Sequence, residues 1–184
     1  MKLFKFENYK VNISEEALAL VPFKKIWNRD KSASKDRAFS ELAYVYFMVD
    51  PRSDYQYIVE EEERSKAIIE GEGFSESWKP DKLIKEAMDF YSSFKTTSVL
   101  ILEDTRHAAD NLRKSLRSIN LEDKDDKGKP IYTVASIISA IKQVPQLVKE
   151  LAEAERAVAK EVAESGGRVR GQRAKSLFED GLNL

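Results

Sequence analysis

The segment Leu42–Val49 constrains the fold more than any other part of the sequence, because its eight consecutive residues are all apolar. It forms the second half of a predicted helix, which Ser34 is expected to cap and which Asp50 and Pro51 end. A helix that is apolar on every side is buried on every side. We therefore expect this helix to be the central element of the core, with the other elements packed around it.

Helical patterns dominate the chain on both sides of this segment. Ser14 is a good N-cap, Pro22 suits the first turn of a helix, and Pro80 does so again further along. The carboxylates of 60–63 favour the positive end of a helix dipole. The sequence thus predicts several short helices between residues 14 and 91, joined by polar loops.

Two longer helices are predicted over 97–119 and 134–164. In both, apolar residues recur at alternating spacings of three and four, which is the pattern of a seam between packed helices. A short charged connection at 120–130 predicts that the two helices pack antiparallel. Pro145 is expected to kink the second helix, and Glu155 interrupts its seam. The two seams comprise Leu102, Thr105, Ala109, Leu112, Leu116 and Ile119, and Ile141, Val144, Val148, Leu151, Val158 and Val162.

The first thirteen residues have the alternating pattern of β-strands. Phe4 and Phe6 alternate with lysines, and Val11 and Ile13 alternate with polar residues after a change of phase near Glu7. This pattern predicts a β-hairpin. The expected fold is mainly α: a helical bundle at 14–164 with a long kinked C-terminal helix, an N-terminal hairpin at 1–13, and an extended Gly/Arg-rich arm at 165–184.

Charge and composition exclude several classes of protein. Lys and Arg total 31 and Asp and Glu total 32, so the net charge of −1 excludes a generally basic nucleic-acid coat but not a local basic patch. The absence of cysteine excludes disulfides, thiolate zinc sites and cysteine nucleophiles. No apolar run approaches the ~20 residues that span a bilayer, so no membrane association is expected.

No motif in the sequence predicts catalysis, a metal site or a cofactor. His107 is the only histidine, so a di-iron bundle would lack its second carboxylate–histidine pair. Gly71 and Gly73 do not lie in a strand-to-helix turn that could hold a dinucleotide. The acidic loop at 123–128 lacks the twelfth-position glutamate of a calcium loop. We expect a protein that is not an enzyme.

Two regions are predicted to bind partners. Tyr55 and Tyr57 lie in a predicted loop and could serve as aromatic anchors at an interface. The arm carries four cationic residues with no acid among them, followed by an apolar pair. Three interpretations of the arm remain open: a solubilising tail, a segment that contacts nucleic-acid phosphates, and an arm that docks on a neighbour; the apolar pair favours docking. The residues concerned are Arg168, Arg170, Arg173, Lys175, Leu177 and Phe178.

Four segments together resemble a small helical virion protein of tailed bacteriophages, most like those of crAss-like phages. They are Trp27–Ser32, Glu41–Ser53, Trp78–Leu83 and Phe178–Gly181. The resemblance implies a structural protein of the head-to-tail neck that forms a ring next to the portal. It also implies location in the virion after synthesis in the bacterial cytoplasm. The implied partners are other copies of the chain, the portal, and other neck and tail proteins.

Two other functions remain open at this stage. The chain could be a nucleic-acid-binding accessory protein that acts through the basic arm, including non-specific contact with packaged DNA. It could also be a chaperone or scaffold for virion assembly.

Overall fold

A computed structural model describes residues 3–167 of the 184-residue chain. Over these residues the protein is mainly helical, as predicted, with one β-hairpin and seven α-helices. In chain order they are β1 Phe4–Glu7, β2 Lys10–Ile13, α1 Glu15–Ala19, α2 Val21–Arg29, α3 Asp36–Val49, α4 Glu61–Gly71, α5 Lys82–Ser92, α6 Thr97–Ser118 and α7 Val134–Gly167. A short 3₁₀ turn, Asp54–Tyr57, lies between α3 and α4.

The predicted hairpin is confirmed, and its first strand reaches the core. Strands β1 and β2 pair antiparallel, and the turn residues Asn8 and Tyr9 have φ of 54° and 59°. Positive φ at both positions is typical of a tight two-residue hairpin turn. Phe4 is fully buried, and its ring lies 5.4 Å from the ring of Phe23 and 5.1 Å from that of Tyr91. The hairpin therefore packs on helices of its own chain.

Helix α3 is the central element, as the sequence predicts. Its second half is almost entirely buried, and it packs against α2, α4, α5 and β2. The aromatic residues of α3 interlock with those of its neighbours. For example, the ring of Tyr44 lies 4.7 Å from that of Trp78, and the Tyr44 hydroxyl lies 2.8 Å from the Ser65 hydroxyl.

The cap of α3 differs from the prediction. Ser34 does not cap the helix; its hydroxyl donates to Asp36 Oδ2, and Lys35 occupies the cap position with φ of 57°. Asp30 supplies the cap from the preceding loop, where its Oδ2 accepts from the backbone N–H of Ala38 at 3.0 Å. Its other oxygen accepts from the backbone N–H and hydroxyl of Ser32. A buried carboxylate thus fixes the connection between α2 and α3.

These hydrogen bonds make Asp30 sensitive to acid. The bonds from Ser32 and Ala38 lower its pKa from 3.8 to about 2. Since the pKa is depressed in the folded state, the stabilisation is present above about pH 4 and is lost as the pH falls towards 2. We expect Asp30→Asn to be less stable than the wild type at neutral pH, with a difference that shrinks between pH 4 and 2. Urea unfolding over a pH series measures this difference, and a pH-independent difference would contradict the assignment.

The C-terminal end of α3 is also capped by side chains. The last carbonyls of a helix lack partners within the helix. The carbonyl of Phe47 accepts from the Ser53 hydroxyl at 2.9 Å, and that of Met48 accepts from Gln56 Nε2 at 2.9 Å and from Arg64 Nη1 at 3.1 Å. The 3₁₀ turn therefore closes the end of the central helix.

Helices α6 and α7 form an antiparallel pair within one chain, as predicted. Val99 and Leu102, near the start of α6, form a buried cluster with Ala154 and Val158 of α7. Thr133 caps α7, because its Oγ1 accepts from the backbone N–H of Ser136 at 3.1 Å. The 34 residues of α7 extend over ~51 Å and include Pro145 in the helix interior. The helix continues to Gly167, past the predicted end at 164.

The seam of α7 differs from the predicted one in part. Ile141 and Val148 were assigned to it, yet they are 54% and 60% exposed. Leu147 and Ala154 take their place beside Leu151. Because Ala154 continues the seam, Glu155 does not break it.

Candidate interaction surfaces

An apolar stripe on α7 lies to one side of the face that packs on α6. We call Val134, Ile138, Ile141 and Val148 the outer stripe; their side chains are between 47% and 61% exposed. Spacings of four, three and seven residues place them on one face of the helix. This face lies one residue, or about 100°, round the helix from the seam. Helix α7 therefore has two apolar faces, and residues 3–167 cover only one of them.

A groove lies beside the outer stripe, between α6 and α7. It has a volume of about 390 Å³ and is lined mainly by half-buried leucines and valines, with two arginines among its lining residues. Val148 belongs to both the groove and the outer stripe. The lining residues are Ala109, Leu112, Arg113, Leu116, Arg117, Val144, Leu147, Val148 and Leu151.

The groove exists because α6 and α7 bury their seam residues more completely at one end of the pair than at the other. We call the hairpin and α1–α5 the body. Near the body, Leu102 and Val158 are only 3% and 6% exposed. Towards the connecting loop, Leu112 and Leu116 are only half-buried. Apolar side chains therefore remain partly exposed to solvent at this end of the helix pair.

Polar contacts attach this helix pair to the body. Lys114 Nζ lies 2.8 Å from Glu60 Oε1 and 2.8 Å from Asp110 Oδ2. Its hydrogen bonds to Asp110 and Glu60 raise the pKa of Lys114, and they lower the pKa of both carboxyl groups. Arg106 of α6 contacts both α7 and the 3₁₀ turn. Its Nη2 lies 3.2 Å from Glu155 Oε1, and its Nη1 lies 3.4 Å from the carbonyl oxygen of Gln56.

The two predicted tyrosine anchors differ in their surroundings. Tyr57 is 75% exposed on the 3₁₀ turn and is available to a partner. Tyr55 is half-buried; its ring lies 5.2 Å from that of Phe47, and its hydroxyl donates to Glu72 Oε1 at 2.9 Å. Burial and the bond to Glu72 raise the pKa of Tyr55 to about 12. Tyr55 thus holds the turn in place, and Tyr57 presents the exposed ring.

The remaining predicted site residues lie in the arm, outside the described residues: Arg168, Arg170, Arg173, Lys175, Leu177 and Phe178. The outer stripe and the groove were not recognised from the sequence as surfaces for partners. A second set of 3-4 spacings on α7, offset by one residue from the first, is the signal that indicates two apolar faces.

The buried carboxylates of the body have structural partners. Glu41 is 1% exposed; its Oε2 lies 2.6 Å from Arg29 Nη2, and its Oε1 lies 2.9 Å from Arg37 Nε. Asp50 is 2% exposed and accepts from Arg52 and from the Tyr91 hydroxyl. Burial, followed by the charge of Asp50, raises the pKa of Tyr91. These groups join elements of the fold to one another.

His107 is exposed on α6, where its Nδ1 lies 2.9 Å from Asn111 Nδ2. Among residues 3–167, no three or more His, Cys, Asp or Glu side chains are grouped so that they could hold a metal ion. Within the same range, no helix has the length and apolar character needed to cross a bilayer. Comparison of the chain with protein-family models, curated proteins and solved structures finds no match.

Proposed function

We propose that this chain is a non-enzymatic structural subunit of a tailed-phage virion, which forms an oligomeric ring in the head-to-tail neck beside the portal. The observation that carries the proposal is the outer stripe. Four large aliphatic side chains in register along one helix face are between 47% and 61% exposed in the single chain. Contiguous exposed apolar surface of this kind marks a protein–protein contact.

The arrangement of the fold supports an assembly role. The body, which comprises the hairpin and α1–α5, buries its apolar core within one chain. Its buried carboxylates Glu41 and Asp50 pair with arginines and a tyrosine. Among residues 3–167, eight of the nine exposed large aliphatic side chains lie on the α6–α7 pair or its connecting loop, whereas the exposed aromatic side chains lie elsewhere. The pair also has its own small buried cluster. A chain with a complete core and one incomplete helix pair is suited to repeated head-to-tail contacts, which form a ring when they close.

The proposed location rests on the resemblance to virion proteins of crAss-like phages, which implies the head-to-tail neck. Two of its segments, Trp27–Ser32 and Glu41–Ser53, meet in the structure through the Arg29–Glu41 ion pair. They include the Asp30 cap and the buried half of α3. These two segments therefore contribute residues that maintain the core.

Mass spectrometry of purified particles tests the proposal. We expect the chain at a fixed copy number per particle, and native mass spectrometry of the isolated protein should show a discrete oligomer. Absence from mature particles, combined with a complex formed only during assembly, would contradict the proposal and favour the scaffold function.

The outer stripe gives a sharper prediction. We expect Ile138→Asp with Ile141→Asp to weaken self-association at least about tenfold, because two aliphatic side chains lose their burial at the contact. The fold should persist, since both side chains are exposed in the single chain. Sedimentation over a concentration series measures the association, and circular dichroism measures the fold.

The matched control is Ser139→Asp with Gln146→Asp, which adds the same charge on an exposed neighbouring face of α7. This variant should associate like the wild type. Equal weakening in both variants would mean that added charge, rather than loss of the stripe, is responsible.

A further inference from the structure

We infer that the groove between α6 and α7 binds the segment 177–182 from the arm of a neighbouring copy of the chain. This inference rests on the proposed oligomer and names the contact that links its subunits. The groove requires an occupant that is apolar and carries negative charge, and the segment has this chemistry.

The groove is apolar inside and cationic at its edge. Leu112, Leu116 and Leu147 are half-buried in its lining, which includes Arg113 and Arg117. Arg113 Nη2 is held 2.8 Å from Asp110 Oδ1. Arg117 forms no ion pair with any residue in the described range 3–167.

The segment has the complementary sequence, Leu177-Phe178-Glu179-Asp180-Gly181-Leu182. Its apolar residues match the leucine lining, and Glu179 and Asp180 match the two arginines. It is the part of 168–184 in which large apolar and acidic residues stand together, because 168–175 is basic. Charge complementarity of this kind selects the register of a contact.

The length of the chain favours a neighbour's groove over the groove of the same chain. Val148 lies 19 residues before Gly167, which is ~28 Å along α7. Ten Cα-to-Cα steps lead from Gly167 to Leu177, and a flexible chain of that length has a root-mean-square span of ~17 Å. Its fully extended reach is ~33–36 Å, so binding within one chain would need extension to about four-fifths of that reach, well beyond the root-mean-square span. A neighbouring subunit can present its groove at a shorter distance.

The absence of cysteine makes a direct test possible. Arg117→Cys combined with Asp180→Cys introduces one thiol in the groove and one in the segment of the full-length chain. We expect oxidation to give a ladder of covalent multimers in a non-reducing gel. The matched control is Ser115→Cys with Asp180→Cys, because Ser115 is exposed on α6 outside the groove lining. The control should give at least about tenfold less multimer, since a disulfide needs Cα atoms within ~7 Å.

Other outcomes overturn the inference. A cross-linked monomer would place the segment in its own groove, and cross-linking no stronger than in the control would remove the groove as the site. Failure of this inference is distinguishable from failure of the proposed function. A discrete oligomer without the specific cross-link retains the function and rejects the docking contact, whereas a chain that is monomeric and absent from particles rejects both.

Exchange of charges gives an independent readout on the same contact. Arg113→Glu with Arg117→Glu, or Glu179→Arg with Asp180→Arg, should each weaken association about tenfold, because like charges then face each other. The four substitutions together should restore it to within about threefold. Failure of the combined variant to recover, with its helix content unchanged, would contradict the proposed pairing.

Discussion

Glu41→Ala is expected to reduce the free energy of unfolding by about 3–5 kcal/mol, one of the two largest effects predicted for a single substitution in this chain. Glu41 is 1% exposed and ties Arg29 of α2 to the central helix α3. Its removal leaves the guanidinium of Arg29 with Asp81 as its remaining partner. Urea unfolding monitored by circular dichroism measures the loss.

Two further variants separate the contribution of the buried ion pair to stability from that of surface charge. Arg37 also pairs with Glu41, but its side chain is 66% exposed, so Arg37→Ala should cost less than about 1 kcal/mol. The double variant Arg29→Met with Glu41→Leu should recover much of the loss, because an apolar pair needs no buried partner for a charge. Equal destabilisation by Glu41→Ala and Arg37→Ala would show that the buried Arg29–Glu41 pair contributes no more to the free energy of unfolding than the exposed pair does.

Phe4→Ala is expected to cost about 3–5 kcal/mol, because it opens a cavity where three elements meet. Phe4 is fully buried and contacts the rings of Phe23 of α2, Tyr46 of α3 and Tyr91 of α5. The loss should appear as unfolding of the whole body, since the ring joins the hairpin to the core. Thermal and urea unfolding of the full-length chain give the value.

Phe6 is the matched control on the same strand. It is 37% exposed and packs at the edge of the core against Tyr46 and Phe47, so Phe6→Ala should cost about 1–2 kcal/mol. If Phe4→Ala costs no more than Phe6→Ala, or if only the hairpin frays, then the hairpin is an attachment to the core and not a part of it.

The body and the helix pair have different roles in the proposed assembly. Loss of Glu41 or Phe4 should reduce stability and, through it, every other property of the chain. Loss of the outer stripe or of the groove arginines should reduce association and leave stability unchanged, because these side chains are exposed in the single chain. Measuring both quantities for each variant therefore separates folding from assembly.

The sequence by itself determined the features that depend on neighbours a few positions away. The hairpin turn follows from the change of phase between Phe6 and Val11. The cap at Ser14 follows from a hydroxyl side chain directly before α1, where it accepts from the backbone N–H of Ala17. The burial of α3 follows from an apolar run that leaves no polar face. The antiparallel α6–α7 pair follows from two seams and a short connection. The first three signals each lie within one segment of the chain, and the fourth combines two segments that follow each other.

Only the tertiary structure decided which partner each side chain meets. Asp30 replaces Ser34 as the cap of α3 because the loop returns its carboxylate to the helix start. Glu41 lies in the core because Arg29, twelve residues away along the chain, neutralises it there. On α7, the seam and the outer stripe are offset by one residue along the sequence. Both follow the same helical periodicity, so the sequence pattern does not distinguish them. The packing of α6 against Ala154 and Val158 buries one stripe and leaves the other exposed. A helix pattern shows which residues share a face but not which face is covered.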